Sequence, residues 1–352
     1  MTRSSSKENP LMWNHEDLVV RRGRRSGITT MVAIHSRVLG PAVGGCRMKA
    51  YPDLGAAIDD VLRLSRAMTD KCAVAGVPFG GGKSVIALEA DTILTPDRRH
   101  DVLLDHADLI ASLDGSYLAG PDVGTGPADM LVLREVTPHA FCLPESHGGT
   151  GSSSGPTAVG VHAALLAATG AVFGSTDLAG RRVVIAGFGS VGTHLAASLV
   201  AAGAHVVVSD VDESRRRAAR DLGLEWVDPD KALSTTADVV VPAAVGGVLG
   251  PESAARLDTA LVVGPANNQL TDDSVADDLA ARGITWVPDY VAGAGGIVYT
   301  LGREFEGLSP EAAIGRVETI GATVTQILAA AAGAGTTPLH EAKALAARRL
   351  VS

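Results

Sequence analysis

The chain has 352 residues, 46% hydrophobic and 20% charged, an ordinary globular balance with room for two domains that each bury a full core. A formal net charge of −9 argues against a nucleic-acid or anionic-membrane partner, since both need clustered positive charge. Three cysteines (Cys46, Cys72, Cys142) are too few and too scattered for a disulfide frame or a thiolate metal site, and the ten histidines never pair at metal-ligand spacing. No metal is therefore expected, and a reducing cytoplasm fits.

In chain order, the opening segment MTRSSSKENP has no apolar core of the kind a signal peptide needs. From Asp17 to Cys142, β-rich runs such as Thr29 to Ile34 alternate with helical patterns, which reads as an α/β unit. The basic run Arg21 to Arg25 (RRGRR) reads as a solvated loop. Helices are predicted over Ala56–Asp70 and Arg98–Leu113, the second with Thr95 as cap and Pro96 at its first position. Lys71 closes the first of these helices. Beyond it, Lys83 follows three glycines (Gly80-Gly81-Gly82), a run that no helix and few strands tolerate. Such a run lets ligand and backbone approach closely and delivers an amine into the gap. Two nearby ammonium groups, Lys71 and Lys83, repel, and burial adds a desolvation cost. Both effects lower a lysine pKa toward the range of a base.

The glycine- and serine-rich stretch Gly148 to Gly155 is the best linker candidate, and the apolar stretch Thr157 to Gly174 reads as a buried helix, too alanine-rich for a membrane span. A regular strand–helix alternation follows, with strands at Arg182–Ala186, His205–Ser209, Asp238–Val241, Leu261–Val263 and Ile284–Val287, as in a parallel sheet covered on both faces. Between the first of these strands and a helix over Ser190–Ala202 lies Gly187-Phe188-Gly189-Ser190-Val191-Gly192, a G-x-G-x-x-G pattern. An acid, Asp210, ends the next strand 18 residues after Gly192. That context marks a dinucleotide-binding site. Gly187 permits the tight turn, Gly189 admits the pyrophosphate to the backbone, and Gly192 lets helix and strand pack closely. The Asp210 carboxylate would bind both ribose hydroxyls and repel a 2′-phosphate, so NAD is favoured over NADP. Arg215 to Arg217 read as a solvated helix face. A last helix is predicted over Leu339–Leu350 behind Thr337-Pro338.

Six segments together are specific: Leu39 to Met48 (LGPAVGGCRM), Ser65 to Lys71 (SRAMTDK), Gly80 to Lys83 (GGGK), Asp122 to Thr125 (DVGT), Ala266 to Asn268 (ANN) and Pro288 to Val291 (PDYV). They resemble, in order, the amino-acid dehydrogenases of the glutamate/leucine/phenylalanine/valine family, and Pro288 to Glu304 looks most like the phenylalanine branch. The resemblance implies a two-domain α/β protein with a cleft. Residues 1–150 would be a substrate-binding and oligomerisation domain, onto which helices over 318–352 pack back, and 151–317 a doubly wound NAD-binding domain. It implies NAD-dependent reversible oxidative deamination by a homo-oligomer, with amino acid, 2-oxo acid and ammonia as partners. By the same resemblance Lys71 binds the substrate carboxylate, Lys83 is the base for water, Asp122 handles the amine, and Gly44 and Gly45 offer amides to the reacting carboxylate. Asn267 reaches substrate and nicotinamide, Thr157 lies near the cofactor carboxamide, and Ala244 and Val245 complete the cofactor site.

Two departures bear on substrate. Gly293 stands where the family has asparagine, and Gly155-Pro156 lacks a bulkier neighbour, so a roomy apolar pocket is expected, with phenylalanine favoured and glutamate poor. A branched-chain amino-acid dehydrogenase is the alternative. A non-catalytic nucleotide-binding regulator has no need of Lys71, Lys83 and Asp122 together, and a 2-hydroxy-acid dehydrogenase needs a histidine–carboxylate pair that no motif here supplies.

Overall fold

The computed structural model describes residues 13–351; the segment MTRSSSKENP lies outside them. Two compact units emerge. One comprises the chain to Thr69 together with Phe79–Ala140, the other Asp70–Pro78 and the chain from Phe141 onward.

The first unit is a five-stranded mixed sheet. Its strands are β1 (Asp17–Arg22), β2 (Thr29–Ser36), β3 (Ala42–Ala50), β4 (Gly80–Leu88) and β5 (Tyr117–Pro121), in the order β1-β2-β4-β3-β5. β1 and β4 run antiparallel to β2, whereas β3 runs parallel to both β4 and β5. Helix α1 (Leu54–Ala75) buries Ala57 and Val61 against Met31, Ala33 and Val85 of the sheet, and α2 (Pro96–Ala111) and α3 (Pro127–Arg134) complete the unit. α1 runs four residues past Lys71, so that lysine lies inside the helix rather than at its end. Thr95 caps α2 as predicted, its Oγ1 accepting from Arg98 N at 3.3 Å. The RRGRR turn is better organised than a solvated loop: the buried Asp105 carboxylate accepts from the backbone amides of Arg24, Arg25 and Ser26 and pairs with the Arg25 guanidinium at 3.1 Å.

The triple glycine brings a second difference. It opens β4, a buried central strand, and is no ligand-facing loop. A Cβ on Gly80 would stand 2.1 Å from Ser36 O, one on Gly81 2.1 Å from Thr69 N of α1, and one on Gly82 2.7 Å from the Tyr117 ring. These contacts lie far inside van der Waals distance, so the protein uses its own glycines to let helix, neighbouring strand and Tyr117 close on the sheet.

The second unit holds a six-stranded, wholly parallel sheet of β6 (Arg182–Ala186), β7 (His205–Ser209), β8 (Glu225–Trp226), β9 (Val239–Pro242), β10 (Leu261–Val262) and β11 (Thr285–Trp286). Their order is β11-β10-β9-β6-β7-β8. That is the doubly wound dinucleotide arrangement, with its switch point between β6 and β9. Only the two-residue β8 escapes the sequence reading. α4 (Ser154–Phe173), α5 (Ser190–Ala201), α6 (Arg215–Asp221), α7 (Pro251–Arg256), α8 (Ser274–Ala281), α9 (Asp289–Ala292) and α10 (Gly295–Glu304) accompany it, followed by α11 (Pro310–Glu318), α12 (Ile320–Ala334) and α13 (Pro338–Leu350). α4, the apolar helix of the sequence reading, packs against α5, α10 and α12, and α13 packs on α12.

Candidate active site

In the first unit the chemistry gathers where β3, β4 and β5 lie side by side. Lys83, fourth residue of β4, is 6% exposed, and its Nζ lies 3.0 Å from Asp122 Oδ2 just past the end of β5. Asp122 is set there by its own turn. Its N–H donates to Thr125 Oγ1 at 3.0 Å, and Thr125 Oγ1 donates to Cys46 O at 2.7 Å, tying the turn to β3. Gly124, at φ +83°, passes so close to Met48 O that a Cβ would stand 1.8 Å from it. The D-V-G-T motif is thus a carboxylate, a left-handed close approach and a hydroxyl tie. Gly45 borders the same spot: its Cβ would meet Asp122 Cβ at 2.7 Å and Lys83 Nζ at 3.0 Å. Gly44 faces the other way, 1.9 Å from Gly82 O by the same measure, and its carbonyl accepts from the buried Tyr117 hydroxyl at 2.9 Å. Lys83, Asp122 and Gly45 come together, while Gly44 is occupied by packing.

Sequence reading misses Arg47. Its Nε donates to Asp122 Oδ2 at 2.8 Å, the oxygen that Lys83 also uses, and its Nη1 donates to Asp60 Oδ2 at 3.0 Å. Burial pushes the Lys83 ammonium below its ordinary pKa, Asp122 opposes this, and Arg47 lowers it further. The like charge acting on Lys83 is therefore Arg47, where the sequence alone points to Lys71. Burial alone would raise the Asp122 pKa, yet Lys83 and Arg47 hold it below the usual carboxylate value. A buried base, an ionised carboxylate and a fixed cation can exchange protons with a bound amine or water. The signal for Arg47 lay in the G-G-C-R-M string, at a position two beyond Gly45 and so on the same face of β3.

In the second unit Lys71 Nζ donates to Asn267 Oδ1 at 2.8 Å, so two predicted substrate-binding residues meet. The Asn267 loop is pinned from below. Asn268 adopts φ +53°, Gln269 N donates to the buried Asp289 at 2.7 Å, and the Gln269 amide bridges Gly264 O and Trp286 Nε1. Thr157, in the first turn of α4, faces the glycine-rich start of α10, where a Cβ on Gly296 would stand 2.7 Å from its Oγ1. Gly293 departs from expectation. Its Cβ direction is filled by Asp289 O at 2.9 Å and Pro265 O at 3.3 Å, so its missing side chain opens no room on that side. Gly155 has open space around it.

The dinucleotide loop answers each role read from its glycines. Gly187 turns at φ +122°, with Ala244 N 2.5 Å from where a Cβ would stand, so the loops after β6 and β9 touch at the switch point. Gly189 is open, as a phosphate approach requires, and a Cβ on Gly192 would stand 2.2 Å from Gly187 O. Ser190 starts α5, and among the described residues no side chain caps its first amides. Phe188 buries its ring and donates its N–H to Asp210 Oδ2 at 2.8 Å, which holds that carboxylate at the tip of β7. Val191 lies in the first turn of α5, and Val245 is 67% exposed beyond β9. Arg215 Nη1 donates to Phe188 O at 3.2 Å, so it reaches this loop rather than lying on a wholly solvated face. These features fit a dinucleotide.

Comparison with known proteins shows the family. The profile of the Glu/Leu/Phe/Val dehydrogenase dimerisation domain matches residues 14–139, and that of the Glutamate/Leucine/Phenylalanine/Valine dehydrogenase family matches 209–306. Residues 163–245 match the NAD binding domain of D-isomer specific 2-hydroxyacid dehydrogenases, a stretch confined to α4 through β9. Phenylalanine dehydrogenase of Lysinibacillus sphaericus is 39% identical over 81% of this chain and 75% of its own length. Valine dehydrogenase of Streptomyces albus is 39% identical over 96% and 92%. Leucine dehydrogenases match at similar identity. Among solved structures, the L-tryptophan dehydrogenase of Nostoc punctiforme superposes with a TM-score of 0.81 at 32% identity, covering 96% of each chain. The chain belongs to the Glu/Leu/Phe/Val dehydrogenase family and is an amino-acid dehydrogenase that uses NAD.

Proposed function

We propose that this enzyme catalyses the reversible oxidative deamination of an apolar or aromatic L-amino acid, with a phenylalanine-like side chain favoured. The observation that carries the reading is the buried Lys83–Asp122 pair, an amine held below its ordinary pKa beside an ionised carboxylate. In this reading the ammonium of Lys71 and the amide of Asn267 bind the substrate carboxylate, and Asp122 takes the α-amine. Bound NAD supplies the hydride acceptor for the α-carbon. Lys83, as its neutral amine, then removes a proton from the water that attacks the resulting imine, and Asp122 relays the proton to the departing ammonia. The Gly45 backbone gives the reacting carbon close access to both groups.

Charge economy argues against glutamate. Arg47 is committed to Asp60 and Asp122, and an acidic side chain left unpaired in a buried site costs several kcal/mol. Open space at Gly155 favours an aromatic side chain, whereas the filled Cβ direction at Gly293 favours a leucine- or valine-sized one. A methylene or two is worth about 1–3 kcal/mol, so overlapping activities are expected. We further propose a cytoplasmic homo-oligomer, supported by three free buried thiols and by the dimerisation-domain match. The test is NADH formation, followed by absorbance, with phenylalanine, tryptophan, leucine, valine and glutamate. Phenylalanine should give the highest kcat/KM and glutamate the lowest. Glutamate in first place would overturn the reading.

A further inference from the structure

Asp122 receives two cations on one oxygen. Lys83 Nζ at 3.0 Å and Arg47 Nε at 2.8 Å both meet Oδ2, and among the described residues Oδ1 accepts no hydrogen bond. Arg47 is itself anchored. Its Nη1 donates to Asp60 Oδ2, which also accepts from the Tyr51 hydroxyl at 2.7 Å, while Asp60 Oδ1 accepts from Arg63 Nη2 at 2.7 Å. Arg47 and Asp60 are both largely buried, with side chains 15% and 11% exposed. A guanidinium's planar fork can span two carboxylates in this way, and an ammonium's single nitrogen cannot.

We infer that Arg47 is a positioning residue of the deamination centre: tethered to Asp60, it fixes Asp122 through Oδ2 and so reserves Oδ1 for the substrate amine. This role rests on the deamination reading given above. Without Arg47 the carboxylate could rotate and engage Lys83 with either oxygen, a simple ion pair that keeps the lysine protonated. With Arg47 in place, the two cations compete for one oxygen, and the hold on the lysine proton weakens. The charged and titratable groups facing this centre are Arg47, Cys46 and Lys49 from β3, Tyr51 just past it, Lys83 from β4, Asp60 and Arg63 from α1, Tyr117 from β5 and Asp129 from α3. Among them Arg47 is the cation whose removal alters Lys83 and Asp122 together.

The test compares Arg47→Gln and Arg47→Lys in the full-length enzyme, with NADH binding by fluorescence as the check on fold and cofactor site. In Arg47→Gln the acid limb of the kcat profile for deamination should move up by about one pH unit, because a like charge has left the neighbourhood of the base. In Arg47→Lys the limb should stay near wild type while kcat falls about tenfold, because the charge remains and the fork is lost. A limb that does not move in Arg47→Gln would show a merely structural residue and overturn the inference. Wild-type kcat in Arg47→Lys would overturn it too, and that variant decides alone if Arg47→Gln does not fold. A wild-type enzyme silent with every amino acid would instead overturn the deamination reading, and this role with it.

Discussion

The two sheets solve different problems with the same residue type. In the second unit the interiors of the central strands are apolar, with Val183, Val184, Val207, Val239 and Val240 fully buried. Glycine there appears at strand ends, where Gly187 turns and Gly189 stays open. Function sits on loops, as it does in doubly wound sheets generally. In the first unit glycine lies inside the strands, at Gly44 and Gly45 of β3 and Gly80 to Gly82 of β4, and charged side chains are buried between them. The cofactor loop can therefore change without disturbing its sheet. The centre around Lys83 cannot, because Lys83 and Arg47 belong at once to the candidate site and to the packed sheet. Burying such charges costs several kcal/mol unless each is paired, and here each one is.

Removing Lys83 gives the sharpest cut between the two regions. Lys83→Ala should lower kcat by about 10²–10⁴-fold, the usual cost of losing a general base. Arg47 still pairs with Asp122 in that variant, so no carboxylate is left alone in the core. Affinity for NADH, measured by fluorescence titration, should stay within about twofold, because Lys83 belongs to the chemistry and the glycine fingerprint to the cofactor. Retention of more than a tenth of wild-type kcat would mean that water finds another base.

Much of the second unit could be read from the chain because its information is local. β6 and β7 fall where predicted, and Gly187, Gly189, Gly192 and Asp210 each stand in the expected relation to strand or helix. The first unit was legible only as motifs. Gly80 to Gly82 read as an approach for a ligand because the partners that require them (Ser36, Thr69 and Tyr117) are distant in sequence. Arg47 went unread because its value lies in bridging Asp60 and Asp122, residues 13 and 75 positions away. Gly293 was misread for a related reason: an absent side chain looks like space until the carbonyls filling it are seen.

Changing the cofactor loop gives an intermediate effect. Asp210→Ala removes the acceptor expected for the ribose hydroxyls and also leaves Phe188 N–H without its partner. The KM for NAD should rise about tenfold to a hundredfold, since hydrogen bonds to a charged group are worth about 1.5–3 kcal/mol. NADP should become a substrate, because the repulsion of its 2′-phosphate is gone and Arg215 lies beside the loop. Lys83 and its pH profile should be untouched. A wild-type enzyme that already prefers NADP would contradict the assignment of Asp210.

The smallest effect probes the polar layer beneath the first sheet. His106, fully buried on α2, bonds Ser84 Oγ at 2.9 Å through Nε2 and Thr30 Oγ1 through Nδ1, and Ser84 in turn accepts from Tyr117 OH at 3.2 Å. Burial pushes its pKa down from 6.5 to about 3, so the folded protein holds it neutral where the unfolded chain would protonate it. Its contribution is intact above the unfolded value. As pH falls from 6.5 toward 3, stability should drop by about 1.4 kcal/mol per unit. His35, pushed down to about 4 by burial, and the lowered His15 and His162 add slopes of the same sign. The carboxylates held below their ordinary values, Asp60, Asp105 and Asp122, contribute only at more acid pH. Between pH 7 and pH 5 the histidines therefore dominate. His106→Gln keeps a hydrogen-bonding side chain but cannot titrate, so its urea-unfolding free energy should fall by about 2 kcal/mol less than that of wild type across that interval. Equal pH slopes in the two proteins would show that His106 takes up its proton in the native state as readily as in the unfolded chain, and the buried layer under β4 would have to be redrawn with a charge in it.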